Sequence, residues 1–412
     1  MNILIISQYF WPENFRINQL STALLKKGNR VTVLTGLPNY PEGKIYESYV
    51  KSPQKYNDFN GVEIIRVPLL PRGKNKFFLT LNYFSFCFSA STIGFYKLWK
   101  KNFDVIFVFQ TSPVLVGIPS SLISFFKKTP QVIWILDLWP ESLEALGILK
   151  YNWQKIFFRK LVNFIYSRFS YILCQSKSFI KEIESKNIDR KKLIFFPAWA
   201  DTEILKKSNH YAPEIKIKKG FFNIIFSGNI GEAQDFPSII KAFKILKKRN
   251  IENIRLIIIG EGRMKDWVRK EVAFQNLSEI IEIHGKFPLQ RMSSFFKHAD
   301  ALLVSLSDKK LFSMTIPGKI QSYLAAGIPI IGMLNGEAAN LLIEAKAGKV
   351  CDAGDYQKLA DIIESLSSEN KSKLLEFGEN GKKYSYRFFN KNNLTNKLNK
   401  LLLNISRKSK YK

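Results

Sequence analysis

Phe222-Asn-Ile-Ile-Phe-Ser-Gly228-Asn-Ile-Gly231-Glu232 runs an apolar strand straight into a glycine-bearing turn. Glycines after a strand let backbone approach a phosphate, and the helix that follows offers its free N–H groups to it. The spacing is not G-x-G-x-x-G, which weakens a dinucleotide reading. One strand later, after Arg255–Ile259, Gly260-Glu-Gly262-Arg263 repeats the device. Further strands are expected at Ile280–Ile283, Ala301–Ser305 and Ile328–Ile331, each followed by helix-like sequence. Upstream, Phe196–Trp199 and a polar stretch, 201–220, interrupt the pattern. Before them it runs through Ile3–Ser7, Arg30–Thr35, Val62–Val67, Val105–Gln110, Val132–Leu136 and Tyr171–Gln175, with helices over Asn18–Lys27 and Trp153–Arg168. This alternation predicts an α/β fold with mostly parallel sheets. The restart predicts two Rossmann-like domains, 1–198 and 199–412, with the last basic segment, about 385–412, packing back on the first. Ligands of open α/β sheets bind at the carboxyl ends of the strands, so two such sheets facing across a cleft would hold one between them.

Composition narrows the partners. A 46% hydrophobic and 24% charged chain is globular rather than disordered. Sixty-three Lys and Arg against 34 Asp and Glu give a net charge of +29, a surface that seeks nucleic acid, anionic lipid or phosphorylated small molecules. Cys87, Cys174 and Cys351 are far apart in sequence, which excludes a disulfide scaffold and fits a reducing cytoplasm. Met1–Phe10 reads as a first strand rather than a signal peptide. His210, His284 and His298 have no ligand-like spacing and there is no Asp-x-Asp motif, so neither a metal nor another cofactor is expected. Phe77–Tyr96 carries no formal charge, but Asn82, Ser85, Ser89 and Thr92 recur at helical spacing opposite Phe77, Leu81, Phe84 and Phe88. That is a two-faced helix, core-facing or interfacial, rather than a membrane span.

Three further groups carry chemistry. Pro317-Gly318-Lys319 opens a helix, and a lysine in a first turn opposes the helix dipole unless an anion neutralises it. The small residues Ala325, Ala326 and Gly327 close that helix. In the first half, Tyr9, Trp11, Pro12, Glu13 and Asn14 follow one strand, Asn39 lies in Leu37–Gly43 after the next, and Asp137, Trp139 and Glu141 follow a later one. Carboxylates with aromatic rings at one sheet edge suit a sugar, the rings on its C–H face and the carboxylates on its hydroxyls.

Together these pieces resemble family 4 glycosyltransferases of the GT-B fold, most closely the WbuB-like L-fucosamine transferase branch of bacterial surface polysaccharide assembly. The motifs are Trp11–Glu13, Leu37–Gly43, Asp137–Ser142, Ser227–Glu232 and Pro317–Gly327. The resemblance implies a retaining, metal-independent transfer from a nucleotide-sugar held by the C-terminal half to an acceptor in the N-terminal half. It implies that Gly228, Asn229, Ile230, Gly231 and Glu232 lie against the diphosphate, that Lys319 pairs with it, and that Glu337 lines the donor pocket. Gln234, Gly260, Gly262, Arg263, Pro317, Gly318 and Ser322 complete the donor set. The chain departs from the family at four positions. Asn229 and Gln234 replace an Arg and a Lys, and Met314 and Ser322 stand where the E-x7-E glutamates are found.

The expected reaction moves a sugar, of the N-acetylated deoxyhexosamine class by this resemblance, from a UDP-sugar to a polyprenyl-diphosphate-linked sugar, with Lys319 steadying the leaving diphosphate and Asp137 orienting the acceptor hydroxyl or receiving its proton, or else capping the helix that starts at Pro140. Tyr151–Ala200 carries ten Lys and Arg against three acids, interleaved with Trp153, Phe157, Phe158, Phe164 and Phe169. Residues 381–412 carry ten and none. This predicts a cytoplasmic protein held on the inner face of the plasma membrane by anionic lipid. Three rivals stay open: a nucleotide-sugar epimerase, a nucleic-acid-binding protein, for which no motif is present, and a catalytically silent scaffold.

Overall fold

Apolar runs bounded by turn residues become strands. The computed structural model describes residues 1–410 apart from residues 74, 146, 201–211, 213, 216–217 and 219. His210 and most of the polar stretch 201–220 therefore lie outside the described residues. The chain forms two units, Met1–Phe196 with Asn392–Lys412, and Pro197–Lys391.

The first unit holds β1 (Asn2–Ile6), β2 (Arg30–Gly36), β3 (Asp58–Phe59), β4 (Val62–Val67), β5 (Val105–Gln110), β6 (Gln131–Ile135), β7 (Tyr171–Cys174) and β8 (Leu193–Phe195). Their order is β3-β4-β2-β1-β5-β6-β7-β8. All neighbours are parallel except β3 and β4. Strands β5 and β6 are buried at every residue, as expected for parallel strands covered on both faces. The second unit holds β9 (Phe222–Ser227), β10 (Ile254–Ile259), β11 (Ile281–His284), β12 (Ala301–Ser305), β13 (Ile330–Met333) and β14 (Gly348–Cys351), in the order β11-β10-β9-β12-β13-β14, all parallel. The strand period splits its core into two layers. Ile224 and Phe226 pack with Phe236 and Phe243 on one face, and Ile225 packs with Ile320 and Tyr323 on the other. Both sheets reverse direction beside their first strand, so Ser7–Asn14 and Gly228–Glu232 each sit at the switch point of their own unit.

Four features bear on the sequence reading. Strands β3, β8 and β14 were not expected. The second unit ends at Lys391 rather than at residue 412, and the helix Lys391–Lys410, within the segment about 385–412 expected to pack back on the first domain, groups with the first unit almost throughout. There Asn29 Nδ2 donates to Asn399 Oδ1 at 2.8 Å, and Lys27 donates to Asn396. Phe169, read with the surface aromatics, is 1% exposed and packs near Gly117. The helix Lys76–Ser89 is two-faced as expected, but Asn82 is fully buried and Phe88 is 71% exposed, the reverse of a core-facing helix. No helix among the described residues is long and apolar enough to cross a membrane.

Leu402 of the last helix has no exposed surface. Leu402→Ala should cost about 2–5 kcal/mol, read as a lower midpoint of urea unfolding followed by tryptophan fluorescence. A change under about 0.5 kcal/mol, the size of an ordinary surface substitution, would show that the helix does not stabilise the unit it joins.

Candidate functional site

In the second unit, three glycines make a close backbone approach possible. A Cβ at Gly260 would stand 1.8 Å from the Gly228 carbonyl oxygen, and one at Gly262 would stand 2.1 Å from that of Ile230. Gly228 itself has φ +135°, which an L side chain rarely adopts. The Ile230 N–H donates to the Glu261 carbonyl, and the Met264 N–H donates to that of Ile230. The Ile230 side chain is fully buried in the core, so only its backbone is available to a ligand. The end of β12 holds the loop from the other side, with Ser305 Oγ donating to the Gln234 carbonyl at 2.6 Å. Gly228, Asn229, Glu232 and Arg263 are exposed at its rim.

Lys319 lies beneath this turn. It is in the first turn of the helix Gly318–Ala326, whose N-cap is Pro317. Its Nζ is buried without a hydrogen-bond partner and sits 3.8 Å from the centroid of the Phe226 ring. A Cβ at Gly228 would come within 3.1 Å of it. Burial pulls its pKa down to about 7. One helical turn on, the Tyr323 hydroxyl accepts from the Ser227 N–H at 2.9 Å and locks the helix to β9. The same Tyr323 hydroxyl has its pKa pushed up to about 12 by burial. Ser322 is only 4% exposed. Glu337 opens the helix Glu337–Glu344 next to Gly336, where a Cβ would meet the Ser313 carbonyl at 2.0 Å.

In the first unit the expected sugar-binding groups turn inward. Glu13 is 1% exposed. Its Oε1 accepts from the Asn39 and Tyr40 N–H groups at 2.8 and 2.7 Å, and its Oε2 accepts from that of Phe10 at 3.2 Å. It staples the loop after β1 to the loop after β2, and burial raises its pKa to about 7. Asn39 Oδ1 accepts from the Arg72 N–H, and buried Asn82 draws in Gln8, Tyr9 and Asn39. Trp11 packs on Tyr56 and Phe59. Glu141 Oε1 pairs with Lys186 at 2.7 Å with little of either side chain exposed, while its Oε2 is buried without a partner. Of this set Asn14 is exposed, while Trp11 and Pro12 keep part of their surface. Asp137 stands at the end of β6. It accepts from Ser142 Oγ and from Trp139 Nε1 at 3.2 Å, and burial raises its pKa. The Ser112 side chain and the Leu138 N–H also donate to it, so both side-chain and backbone groups hold the carboxylate. Among the described residues no three His, Cys, Asp or Glu side chains converge on a metal-sized site.

The family model for glycosyl transferases group 1 matches residues 208–384, most of the second unit. The chain is a glycosyltransferase with a group 1 domain. It is 26% identical over 270 residues to WbjE of Pseudomonas aeruginosa, named as a glycosyltransferase, covering 64% of this chain and 66% of that protein, about two thirds of its length. It is 24% identical over 402 residues to WcaI of Escherichia coli K12, named for colanic acid biosynthesis, covering 90% of each. Anabaena HepE, solved with UDP, shares the fold with a TM-score of 0.70 at 13% identity, over 98% of this chain and 100% of that one. The two parallel-sheet units are the GT-B architecture. A glycosyltransferase identity leaves the epimerase, nucleic-acid-binding and silent-scaffold readings without support.

In this glycosyltransferase the departures are paired. Asn229 Nδ2 donates to Gln234 Oε1 at 3.1 Å, and the Gly231 N–H donates to the same oxygen at 3.2 Å. Two amides thus brace the turn where relatives are expected to carry cations. Sequence reasoning missed Phe226, Tyr323, Asn82 and Lys186. Phe226 is the penultimate strand residue, and Tyr323 follows Lys319 at i+4, so the helical period pointed to the second of these.

The Lys319 pKa gives a sign to stability. Between pH about 7 and 10.5 the unfolded chain holds a proton that the fold rejects, so the free protein gains stability as pH rises through that window. Below it both states are protonated and the cost is constant. The gain is at most about 1.4 kcal/mol per pH unit. Lys319→Met should flatten this slope in melting temperatures recorded against pH. Parallel curves for the two proteins would refute a buried, unpaired ammonium.

Proposed function

We propose that this glycosyltransferase is retaining and metal-independent, and that it transfers a sugar from UDP to a polyprenyl-diphosphate-linked sugar during surface polysaccharide assembly. Within the family we place it beside the L-fucosamine transferases, with an N-acetylated deoxyhexosamine as the sugar moved. The observation that carries the reading is the Lys319 ammonium, buried and unpartnered below a glycine turn at a switch point. A group in that position gains most from an anion arriving at the turn, and most of all from one whose charge grows during the reaction. UDP as the nucleotide draws support from HepE, and the biosynthetic role draws support from WcaI. Metal independence rests on the absence of an Asp-x-Asp motif.

In the step itself the acceptor oxygen bonds to the anomeric carbon on the face the diphosphate leaves. The bond from that carbon to the diphosphate oxygen breaks, and its electron pair stays on the diphosphate, where Lys319 and the N–H groups after Gly228 stabilise it. The hydroxyl proton passes to Asp137 or to the departing phosphate. A carboxylate whose proton affinity is raised by burial is the better acceptor. The enzyme works in the cytoplasm on the inner face of the plasma membrane, where such acceptors are embedded.

Lys319→Ala should lower kcat about 10²–10³-fold, as loss of one preorganised charge donor does. Turnover of a UDP-sugar onto a synthetic polyprenyl-diphosphate sugar, read by mass spectrometry, measures it. Asp137→Asn should lower kcat while leaving UDP affinity intact in calorimetry. Full turnover by Lys319→Ala would remove the diphosphate clamp, and an inverted anomeric proton coupling in the product would remove retention.

A further inference from the structure

The first unit exposes an unusual quantity of aromatic surface, and most of it lies on three helical connections on one side of the sheet. The helical stretch Lys76–Leu98 connects β4 to β5, the helix Gly117–Lys127 connects β5 to β6, and the helix Asn152–Ser167 connects β6 to β7. The three crossovers move across the sheet in the same direction, and right-handed parallel crossovers then put their helices on one face. Contacts agree. The rings of Phe95 and Phe126 lie 5.3 Å apart, and Lys127 Nζ donates to the carbonyls of Trp99 and Lys101. Trp139 bridges Tyr83 of the first helix to Phe158 of the third.

The first of these helices is inside out. Asn82 is fully buried and donates to the Leu70 carbonyl at 2.6 Å. Ser85 Oγ accepts from the Leu70 N–H at 2.9 Å, and Ser89 Oγ donates to the Pro68 carbonyl at 2.5 Å. The irregular segment after β4 thus takes its hydrogen bonds from the polar stripe, and that turns Phe84 and Phe88 out to solvent. Past a π-helical turn, Ala90–Gly94, the outward stripe continues at Tyr96. Phe125 on the second helix, and Trp153 and Phe157 on the third, are exposed as well. Large rings present on the order of 150–250 Å² each, so together they exceed the roughly 300–600 Å² patch of an ordinary monomer.

Charge identifies what covers this face. Residues 76–101, 117–128 and 152–168 carry ten Lys and Arg and no Asp or Glu. Lys101 pairs with Glu63 and Arg159 lies 3.7 Å from Glu144, yet the three stretches keep a net positive charge, and rings in that setting match a layer of phosphates above hydrocarbon. No described helix can span that layer, so the rings enter it from one side. We propose that the face formed by these three helices docks on an anionic phospholipid bilayer, its rings inserted among the acyl chains and its cations on the headgroup phosphates. This rests on the membrane-embedded acceptor proposed above and specifies the surface that reaches it. The inside-out helix is the centre of that surface, and the basic C-terminal tail is not needed for it.

The test uses the full chain and the triple variant Phe84→Gln, Phe88→Gln, Phe125→Gln, whose positions are exposed and whose circular dichroism should match wild type. Wild type should co-sediment with phosphatidylglycerol/phosphatidylethanolamine vesicles and much less with phosphatidylcholine. Its tryptophan emission should shift to the blue and be quenched by brominated lipid. The variant should partition about tenfold less or weaker still, and should lose turnover on vesicle-embedded acceptor while keeping it on a water-soluble short-chain acceptor. Equal binding by variant and wild type would overturn the proposal and leave the acceptor reading standing. A wild-type dimer in light scattering that the variant abolishes would overturn it in favour of a second copy on this face. Absence of turnover on either acceptor by wild type, with vesicle binding intact, would sink the acceptor reading and spare the docking surface.

Discussion

An ammonium held against an aromatic ring, with no carboxylate beside it, is the constraint around which the second unit is arranged. The Phe226 ring gives Lys319 some electrostatic comfort, since a cation over a ring face is attracted to it. That attraction does not replace water, and the depressed pKa records the deficit. The three glycines are what permit the arrangement. With side chains at Gly228, Gly260 or Gly262 the two turns could not approach, and the lysine would have solvent in place of a backbone roof. A stabiliser that is uncomfortable before its ligand arrives contributes more to the charged end of a reaction than to its start, which is the requirement for raising kcat rather than merely tightening binding.

The first unit applies the opposite logic to its carboxylates. Glu13 is satisfied internally by three backbone N–H groups, and Glu141 is held through one oxygen by Lys186. A buried carboxylate with that many donors is costly to move, so it fixes loops more firmly than apolar contacts could. The loops after β1 and β2 are thereby held as one surface, and Asp137, held by Ser142, Ser112, Trp139 and the Leu138 N–H, is fixed beyond the end of β6.

This explains what was legible in the sequence. Strands such as β1, β5 and β9 are continuous apolar runs, and a run of that kind in an alternating chain has one reading. Strands β3, β8 and β14 are two to four residues at or near sheet edges, and Gly348 and Lys349 dilute the last of them below recognition. Loop residues carry no period, so residue type announced that Glu13 and Glu141 mattered without announcing which way they face. The helix Lys76–Ser89 shows the same limit differently. Its two faces were plain, but which one turned inward was decided by the carbonyls of Pro68 and Leu70 and the Leu70 N–H, a demand that arises only once the chain has folded past them.

The four departures from the family pattern make sense as a set. By the resemblance, Asn229 and Gln234 stand in place of two cations at the turn, and Met314 and Ser322 in place of two glutamates. The net charge of the site is unchanged, which a loss on one side alone would not achieve. Removing only the cations would have left carboxylates near Lys319, and a buried lysine beside a carboxylate is already paired, with less to gain from a phosphate. Removing only the carboxylates would have crowded three cations together and pushed the Lys319 pKa lower still. Taken together, the replacements leave one buried cation, two amides braced against each other and a serine turned inward, so the response of the site to an anion is concentrated in Lys319.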